Sequence, residues 1–171
     1  MSMDDQTIKI LIVLARYYRD ASDDLLKGAT TELDKYKKFK KPKGWKEDKT
    51  SLLKWPMNES NSEWKLTYEI RYAPGVFEIP VLVSGNIEDF EAFIALGCVV
   101  KGETPHFDFI SSASINALMN LSIKHNKLIT NGIITCLDNK QAEERANPNK
   151  KNKGGEAAKA IINSFGISSS S

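Results

Sequence analysis

Cysteine and histidine are scarce in this chain, with two of each among 171 residues. Cys98 and Cys136 stand well apart in the sequence, and their spacing to the histidines does not match that of metal-ligand motifs. We therefore expect no metal site. We also expect both cysteines to be small, buried thiols in a reducing compartment rather than partners in a disulfide.

Long apolar runs and a strong charge of one sign are also missing. The first apolar run, residues 8–15, contains Lys9 and is much shorter than the roughly 20 residues of a membrane-spanning helix. Residues 1–6 show no secretory pattern, so a cytoplasmic protein is expected. A net charge of +2 is too close to neutral to indicate nucleic-acid binding by itself. No internal repeat is present, and the length favours one domain over residues 1–171.

What the sequence does contain is an alternation of strand and helix patterns. Apolar strand patterns occupy residues 8–15, 66–72, 92–100 and 128–135, and helical patterns separate most of them. The first strand is apolar almost throughout, as is typical of a parallel strand that is covered on both faces. The alternation predicts a three-layer α/β/α fold with a doubly wound, four-stranded parallel sheet of flavodoxin-like topology. Ligands of such folds bind at the carboxyl ends of the strands.

Residues 37–66 interrupt this alternation. Nine lysines lie between Lys35 and Lys54, and Trp45 and Trp55 accompany them without helical or strand periodicity. Basic residues interleaved with tryptophans could bind nucleic acid. The favoured interpretation is an exposed insertion whose tryptophans pack onto the domain. The serine-rich tail at residues 168–171 is expected to be disordered.

The most informative stretch follows the third strand, which ends at Lys101-Gly102. Thr104 is typical of helix starts, Pro105 suits the first helical position, and His106 falls in the first turn. Such a helix start presents unpaired backbone N–H groups and a positive dipole end to an anion, beside a titratable imidazole. An ordinary strand–helix turn with a surface histidine is the alternative.

Two further segments end at the same predicted edge. Tyr17 follows the first strand, where an aromatic side chain faces either a ligand or the edge of the core. Pro74-Gly75 makes a turn after the second strand. Glu78 then lies at a helix start, where it accepts hydrogen bonds from a polyol or simply favours the helix. Because these segments and residues 98–106 converge on one edge, we predict a small-molecule site there.

Taken together, several segments resemble lumazine synthase, the penultimate enzyme of riboflavin biosynthesis. They include Ala73-Pro74-Gly75-Val76-Phe77-Glu78-Ile79-Pro80, Lys101-Gly102-Glu103-Thr104-Pro105-His106, Gln141-Ala142-Glu143-Glu144-Arg145-Ala146 and Asn152-Lys153-Gly154. Their order and spacing also agree, and the likeness covers nearly the whole chain except about residues 37–66.

The resemblance implies an activity and an assembly. The reaction condenses 5-amino-6-ribitylamino-2,4-pyrimidinedione with 3,4-dihydroxy-2-butanone 4-phosphate to give 6,7-dimethyl-8-ribityllumazine, phosphate and water. It needs no metal or organic cofactor. The resemblance also implies a homopentamer with active sites between neighbouring subunits, with neither a nucleic-acid nor a membrane partner.

The resemblance further assigns a role to each candidate site residue. His106 is the general acid/base, Tyr17 stacks on the pyrimidinedione ring, and Arg145 of a neighbouring subunit binds the phosphate. The other substrate contacts are the phosphate-binding backbone N–H groups of Gly102, Glu103 and Thr104, the lining residues Val76, Phe77, Glu78, Ile79, Cys98, Val99 and Val100, and the neighbour's Lys153 and Glu156.

The chain departs from the family pattern in several places, among them Asn147-Pro148-Asn149 in place of a glycine-containing turn and two residues near the predicted site. Asn131, also a candidate substrate contact, stands where the family usually has a phenylalanine that closes over the heterocycle, and Tyr18 replaces a small polar residue. Two other functions therefore stay open. One is a non-catalytic pentameric member that binds a riboflavin-like ligand, and Asn131 is the residue that points to it. The other is a flavodoxin-like module that binds nucleic acid through residues 37–66.

Overall fold

The computed structural model describes residues 7–40 and 63–167. Its elements are β1 (Thr7–Ala15), α1 (Arg19–Asp34), β2 (Lys38–Lys40), β3 (Glu63–Ala73), α2 (Ile79–Gly85), β4 (Ala92–Val100), α3 (His106–His125), β5 (Leu128–Cys136), α4 (Asn139–Ala146) and α5 (Lys153–Ser164). A 3-10 turn, Val76–Glu78, leads into α2. The predictions for residues 1–6, Trp45, Trp55 and residues 168–171 lie outside the described residues.

The sheet has the strand order β2-β3-β1-β4-β5, and β3, β1, β4 and β5 run parallel. Alternate residues of β1 face opposite layers, because successive side chains of a strand point to opposite faces. Ile10 and Ile12 pack in one apolar cluster with residues of α1 and α5. Leu11 and Val13 pack in the other cluster with residues of α2 and α3. The predicted three-layer, doubly wound α/β fold is confirmed.

The sheet also has a fifth strand that the four-strand prediction missed. β2 pairs antiparallel with the start of β3, and this pairing sets Phe39 opposite Trp64. Both side chains are buried, with 3% and 6% of their surface exposed. The two ends of the predicted insertion at residues 37–66 are therefore strands, and the prediction of an exposed excursion is wrong for them. The strand β2 was missed because three residues with one buried position are too few to show the alternation of apolar and polar residues that indicates a strand. Residues 41–62 lie outside the described part of the chain.

Close backbone contact fixes α5 against α1. A Cβ atom on Gly154 would lie 1.9 Å from the carbonyl oxygen of Leu25, so only glycine permits this approach. Just before α5, Asn152 adopts a left-handed conformation with φ of 46°, and its side chain accepts a hydrogen bond from Gly155 N. This cap sets the position at which α5 begins, and with it the position of Lys153.

Helix α3 is apolar but only partly covered. Its buried residues are Ser111, Ser114 and Leu118, whereas Phe109 and Ile123 are 69% and 73% exposed. A helix with this composition needs a second apolar surface to cover it. Within residues 7–40 and 63–167, no helix combines the length and apolar character needed to cross a membrane.

Candidate active site

An open cavity of about 480 Å³ lies at the carboxyl edge of the sheet. Its lining comes from the segments after β1, β3 and β4, as the sequence predicted. The residues that line it are Tyr17, Tyr18, Gly75, Val76, Phe77, Glu78, Cys98, Val99, Val100, Gly102, Thr104, His106, Phe107 and Ile110. We call this cavity the crevice. It brings together most of the candidate residues that the resemblance placed on one subunit.

The connection between β1 and α1 is held on both sides of Tyr17. Arg16 forms an ion pair with Asp23, at 3.1 Å between Nη2 and Oδ1, and its guanidinium lies 5.5 Å from the centre of the Tyr72 ring. On the other side, the Ser22 hydroxyl donates to the carbonyl of Ala15 at 2.8 Å. Tyr17 itself is 76% exposed, so its ring is available for stacking on a ligand.

The connection between β4 and α3 forms the polar end of the crevice. Lys101 N donates to the carbonyl of Cys136 at 2.8 Å, which is a final contact between the two strands before the chain turns. The residues that follow are exposed up to His106, the first residue of the twenty-residue helix α3. Exposed backbone N–H groups at the start of a long helix favour an anion.

Helix α3 begins one position later than predicted. Pro105, rather than Thr104, precedes the first helical residue, and no side-chain cap bond is made. The carbonyl of Pro105 accepts hydrogen bonds from Asp108 N at 3.1 Å and Phe109 N at 3.3 Å, so the helical bonding starts there. The shift leaves His106 in the first turn.

The segment after β3 forms the apolar wall. Both Val76 and Phe77 of this 3-10 turn line the crevice, but Val76 is largely buried in the core beneath it, whereas Phe77 is 58% exposed. A Cβ atom on Gly97 would lie 2.7 Å from the Val76 side chain, so glycine at that position of β4 lets the turn approach the sheet.

Two candidate residues line neither the crevice nor the second cavity described below. Ile79 is fully buried in the core layer beneath α2, together with Val83. Its predicted role as a lining residue therefore lacks support, because the helix starts there and turns its side chain inward. Glu103 is exposed beside the crevice and is not among the residues that line it.

The floor of the crevice contains a neutral thiol. Cys98 and Cys136 are buried and unbridged, as predicted. Burial, with a smaller contribution from the neighbouring Cys136, raises the pKa of Cys98 to about 12. Burial also raises the pKa of Cys136. A thiol that keeps its proton is a poor nucleophile, so Cys98 serves as a small packing residue here.

The remaining candidates meet at a second cavity. This cavity, of about 340 Å³, is lined by Thr130, Asn131, Gly132, Ile133, Ile134, Arg145, Lys153, Glu156, Ala157 and Ala160. Lys153 Nζ lies 2.6 Å from Glu156 Oε2. Within the described part of the chain, the buried Nε of Arg145 has no hydrogen-bond partner. A guanidinium N–H without an acceptor is suited to a ligand oxygen.

Asn131 is also engaged at this second cavity. Its side-chain oxygen accepts a hydrogen bond from Ile133 N at 2.9 Å, two residues further along β5. The side chain is therefore tied to its own strand. It does not supply the aromatic surface that the family pattern places there.

Four crevice residues were not predicted. Tyr18 was noted only as a departure from the family pattern, Gly75 only as part of a turn, and Phe107 and Ile110 were not singled out. Phe107 and Ile110 do lie close to His106 in sequence, so a helix start at His106 would have indicated them. Tyr18 could have been predicted as a crevice residue because it directly follows Tyr17 in the sequence.

Fold and cavities define a class of protein. This is an α/β domain of flavodoxin-like topology with an open cavity at the carboxyl edge of its sheet, where proteins of this fold bind small molecules. Within the residues described, no group of three or more histidine, cysteine, aspartate or glutamate side chains is arranged to hold a metal ion.

Comparison with known proteins gives the family. The family model for 6,7-dimethyl-8-ribityllumazine synthase matches residues 52–168. A protein of that name from Afipia carboxidovorans is 35% identical over 94% of this chain and 88% of its own length. The 6,7-dimethyl-8-ribityllumazine synthase 1 of Rhodopseudomonas palustris is 38% identical over 90% of this chain and 82% of its own length. The chain therefore belongs to the 6,7-dimethyl-8-ribityllumazine synthase family, a family of enzymes, and the resemblance seen in the sequence is confirmed.

Proposed function

We propose that this chain condenses 5-amino-6-ribitylamino-2,4-pyrimidinedione with 3,4-dihydroxy-2-butanone 4-phosphate in riboflavin biosynthesis. The products are 6,7-dimethyl-8-ribityllumazine, phosphate and water. The observation that carries the proposal is the crevice, where an exposed aromatic ring at Tyr17 and a helix start with His106 share one cavity. These are the groups that a heterocycle and a phosphate ester require.

The apolar part of the crevice suits the pyrimidinedione. Tyr17 offers its exposed ring for stacking, and Phe77 adds apolar surface on the wall formed after β3. Glu78 lines the same wall and would accept hydrogen bonds from the ribityl hydroxyls. Cys98 remains a neutral thiol, so it forms a floor without adding a charge beneath the ring.

The polar part suits the phosphate and the proton transfers. Backbone N–H groups at Gly102 and Thr104 lie in the exposed turn just before α3, next to the helix end whose dipole favours an anion. An amine of the pyrimidinedione attacks the ketone, and one water leaves as the imine forms. Phosphate is then eliminated, and the resulting enol becomes a second carbonyl. The second amine attacks that carbonyl and closes the ring with loss of a second water. His106 would exchange protons with the nitrogen and oxygen atoms that change bonding. Holding both substrates in one cavity supplies much of the rate.

The residues of the second cavity support a site shared between subunits. Arg145 and Lys153 line a different cavity from His106 on the same chain, so one subunit alone does not gather the full set. The uncovered apolar face of α3 is suited to burial against further copies. We propose a ring of five subunits in which Arg145, Lys153 and Glu156 of one subunit complete the crevice of the next.

A substrate assay tests the function. The assembled protein is incubated with both substrates, and the fluorescent lumazine product and free phosphate are followed together. We expect both to form at equal rates, and neither to form when the amine substrate is omitted. If the protein binds 6,7-dimethyl-8-ribityllumazine but produces none, it is a non-catalytic member, and the proposed function is wrong.

A further inference from the structure

Tyr18 lies beside Tyr17 in the crevice and contacts its ring. The two ring centres are 5.1 Å apart, and the rings meet edge to face at an angle of 73°. We propose that Tyr18 is a positioning residue, which holds the Tyr17 ring in the orientation that stacks on the heterocyclic substrate. The identity of that substrate rests on the proposed function, whereas the ring contact does not.

Tyr18 is itself firmly anchored. Its carbonyl accepts a hydrogen bond from Ser22 N at 2.9 Å, at the start of α1. Ser22 is fully buried, and its hydroxyl binds the carbonyl of Ala15 at the end of β1. The Tyr18 side chain is half-buried and packs against the apolar cluster between the sheet and α1. Its ring is therefore a fixed surface.

Tyr17 lacks such an anchor of its own. Its side chain is 76% exposed, and within the described part of the chain Tyr18 is the aromatic ring that it meets. An exposed ring rotates freely about two bonds and loses that freedom when a ligand stacks on it. A fixed neighbour that restricts the ring before binding lowers this entropic cost. The two tyrosines therefore have different roles, since Tyr17 contacts the ligand and Tyr18 orients the Tyr17 ring.

The contact depends on the ring of Tyr18 and not on its hydroxyl. Edge-to-face packing arises from the charge distribution of the two rings. Burial, assisted by Tyr17 and Cys98, raises the pKa of Tyr18, so its hydroxyl stays neutral at working pH. Tyr18→Phe keeps the ring and removes only the hydroxyl. Tyr18→Leu keeps comparable apolar bulk and removes the ring.

A double-mutant cycle tests the proposal. The dissociation constant of 6,7-dimethyl-8-ribityllumazine is measured for the wild type, Tyr17→Ala, Tyr18→Leu and the double variant. We expect Tyr18→Leu to raise this constant about three- to tenfold, in line with the strength of an aromatic pair. In the Tyr17→Ala background the same change should have almost no effect, because the ring it positions is gone. Tyr18→Phe should bind as the wild type does.

Inorganic phosphate provides the second readout. A residue that acts through Tyr17 affects the heterocycle, so phosphate binding should be the same in Tyr18→Leu and the wild type. Equal weakening of phosphate and lumazine would show a general structural defect and overturn the proposal. An equal effect of Tyr18→Leu in both backgrounds would overturn it too, because Tyr18 would then act without Tyr17.

Two controls distinguish a failure of the positioning role from a folding defect and from a failure of the proposed function. Circular dichroism confirms that each variant is folded, and Tyr18→Ile, which also lacks an aromatic ring, replaces Tyr18→Leu in the cycle if that variant does not fold. Turnover of the wild type is measured independently. A wild type that binds lumazine with the expected coupling but makes none would contradict the proposed function alone. A wild type that converts the substrates but shows no coupling between Tyr17 and Tyr18 in lumazine binding would contradict the positioning role alone.

Discussion

His106 and Arg145 line two different cavities of the same chain. His106 lies in the first turn of α3 at the crevice, whereas Arg145 lies in the last turn of α4 beside β5. If both act on one substrate, they must come from different subunits. A site shared between subunits can therefore be tested directly by mixing subunits that lack one residue or the other.

Mixed assemblies should recover activity. His106→Ala and Arg145→Ala proteins are unfolded, mixed and refolded together, and some interfaces then pair an intact His106 with an intact Arg145. We expect turnover well above that of either variant refolded alone, and light scattering should give the mass of five chains. If mixed rings form and no activity returns, each subunit carries a complete site and the shared-site model fails.

Replacing His106 should slow turnover while leaving substrate binding largely intact. We expect His106→Ala to lower the turnover number on the order of 10²-fold or less, because general acid–base catalysis is one of several contributions. The matched control is His125→Ala, since His125 lies at the far end of α3, 3.8 Å from Glu88. An unchanged turnover number of His106→Ala at every pH would remove this residue from the mechanism.

Replacing Arg145 should act on the phosphate substrate. The Michaelis constant for the butanone phosphate should rise far more than that for the pyrimidinedione, because a hydrogen bond to a charged group contributes about 1.5–3 kcal/mol. Lys159→Ala serves as the control, since Lys159 is an exposed cation of α5 that does not line the second cavity. Equal increases in both constants would contradict phosphate binding by Arg145.

Shortening the lysine-rich insertion should preserve folding and activity if β2 and β3 are kept. Replacing residues 41–62 by a brief turn joins Lys40 to Glu63, which already face each other across the two strands. Loop closure changes stability by only about 0.6 kcal/mol for each doubling of length. Trp64→Ala, by contrast, should destabilise the fold by about 3–5 kcal/mol, because it empties a buried site. Chemical denaturation measures both, and an insoluble shortened protein would show that residues 41–62 belong to the core.

Stability should fall as the pH rises from about 9 towards 12. Burial, reinforced by Cys136, raises the pKa of Cys98 to about 12 from an ordinary value of 9.0. In that window the folded chain keeps a proton that the unfolded chain has lost, so a rise in pH favours unfolding. Unfolding free energies measured over this range should decline less steeply for Cys98→Ala than for the wild type. Equal slopes would show that the folded thiol titrates normally.

Much of the site could be predicted because its residues are local in sequence. Tyr17, Glu78 and His106 each follow a strand pattern, and a parallel sheet brings the carboxyl ends of its strands to one edge. The third and fourth strands were predicted from apolar runs that the structure confirms as β4 and β5. Local patterns predict elements well, since the period of apolar residues reflects which faces are buried.

Other features depended on how distant segments pack. The burial of Ile79 follows from the way α2 covers the sheet, and the pairing of Phe39 with Trp64 joins residues on either side of the insertion. Cys98 and Cys136 became neighbours through the register of β4 with β5. None of these has a local signature, because each depends on a partner far away in the chain.

By itself, the sequence determined the alternation of parallel strands and helices, the placement of His106 in the first turn of a helix after the third parallel strand, and the family resemblance. Only the tertiary structure decided that the Tyr18 ring packs edge to face on the Tyr17 ring and that Arg145 lies in a different cavity from His106. The physical reason is that apolar periodicity is set residue by residue along the chain. Ring contacts and cavity linings are set by strand order, register and helix packing, which join residues that the sequence keeps apart.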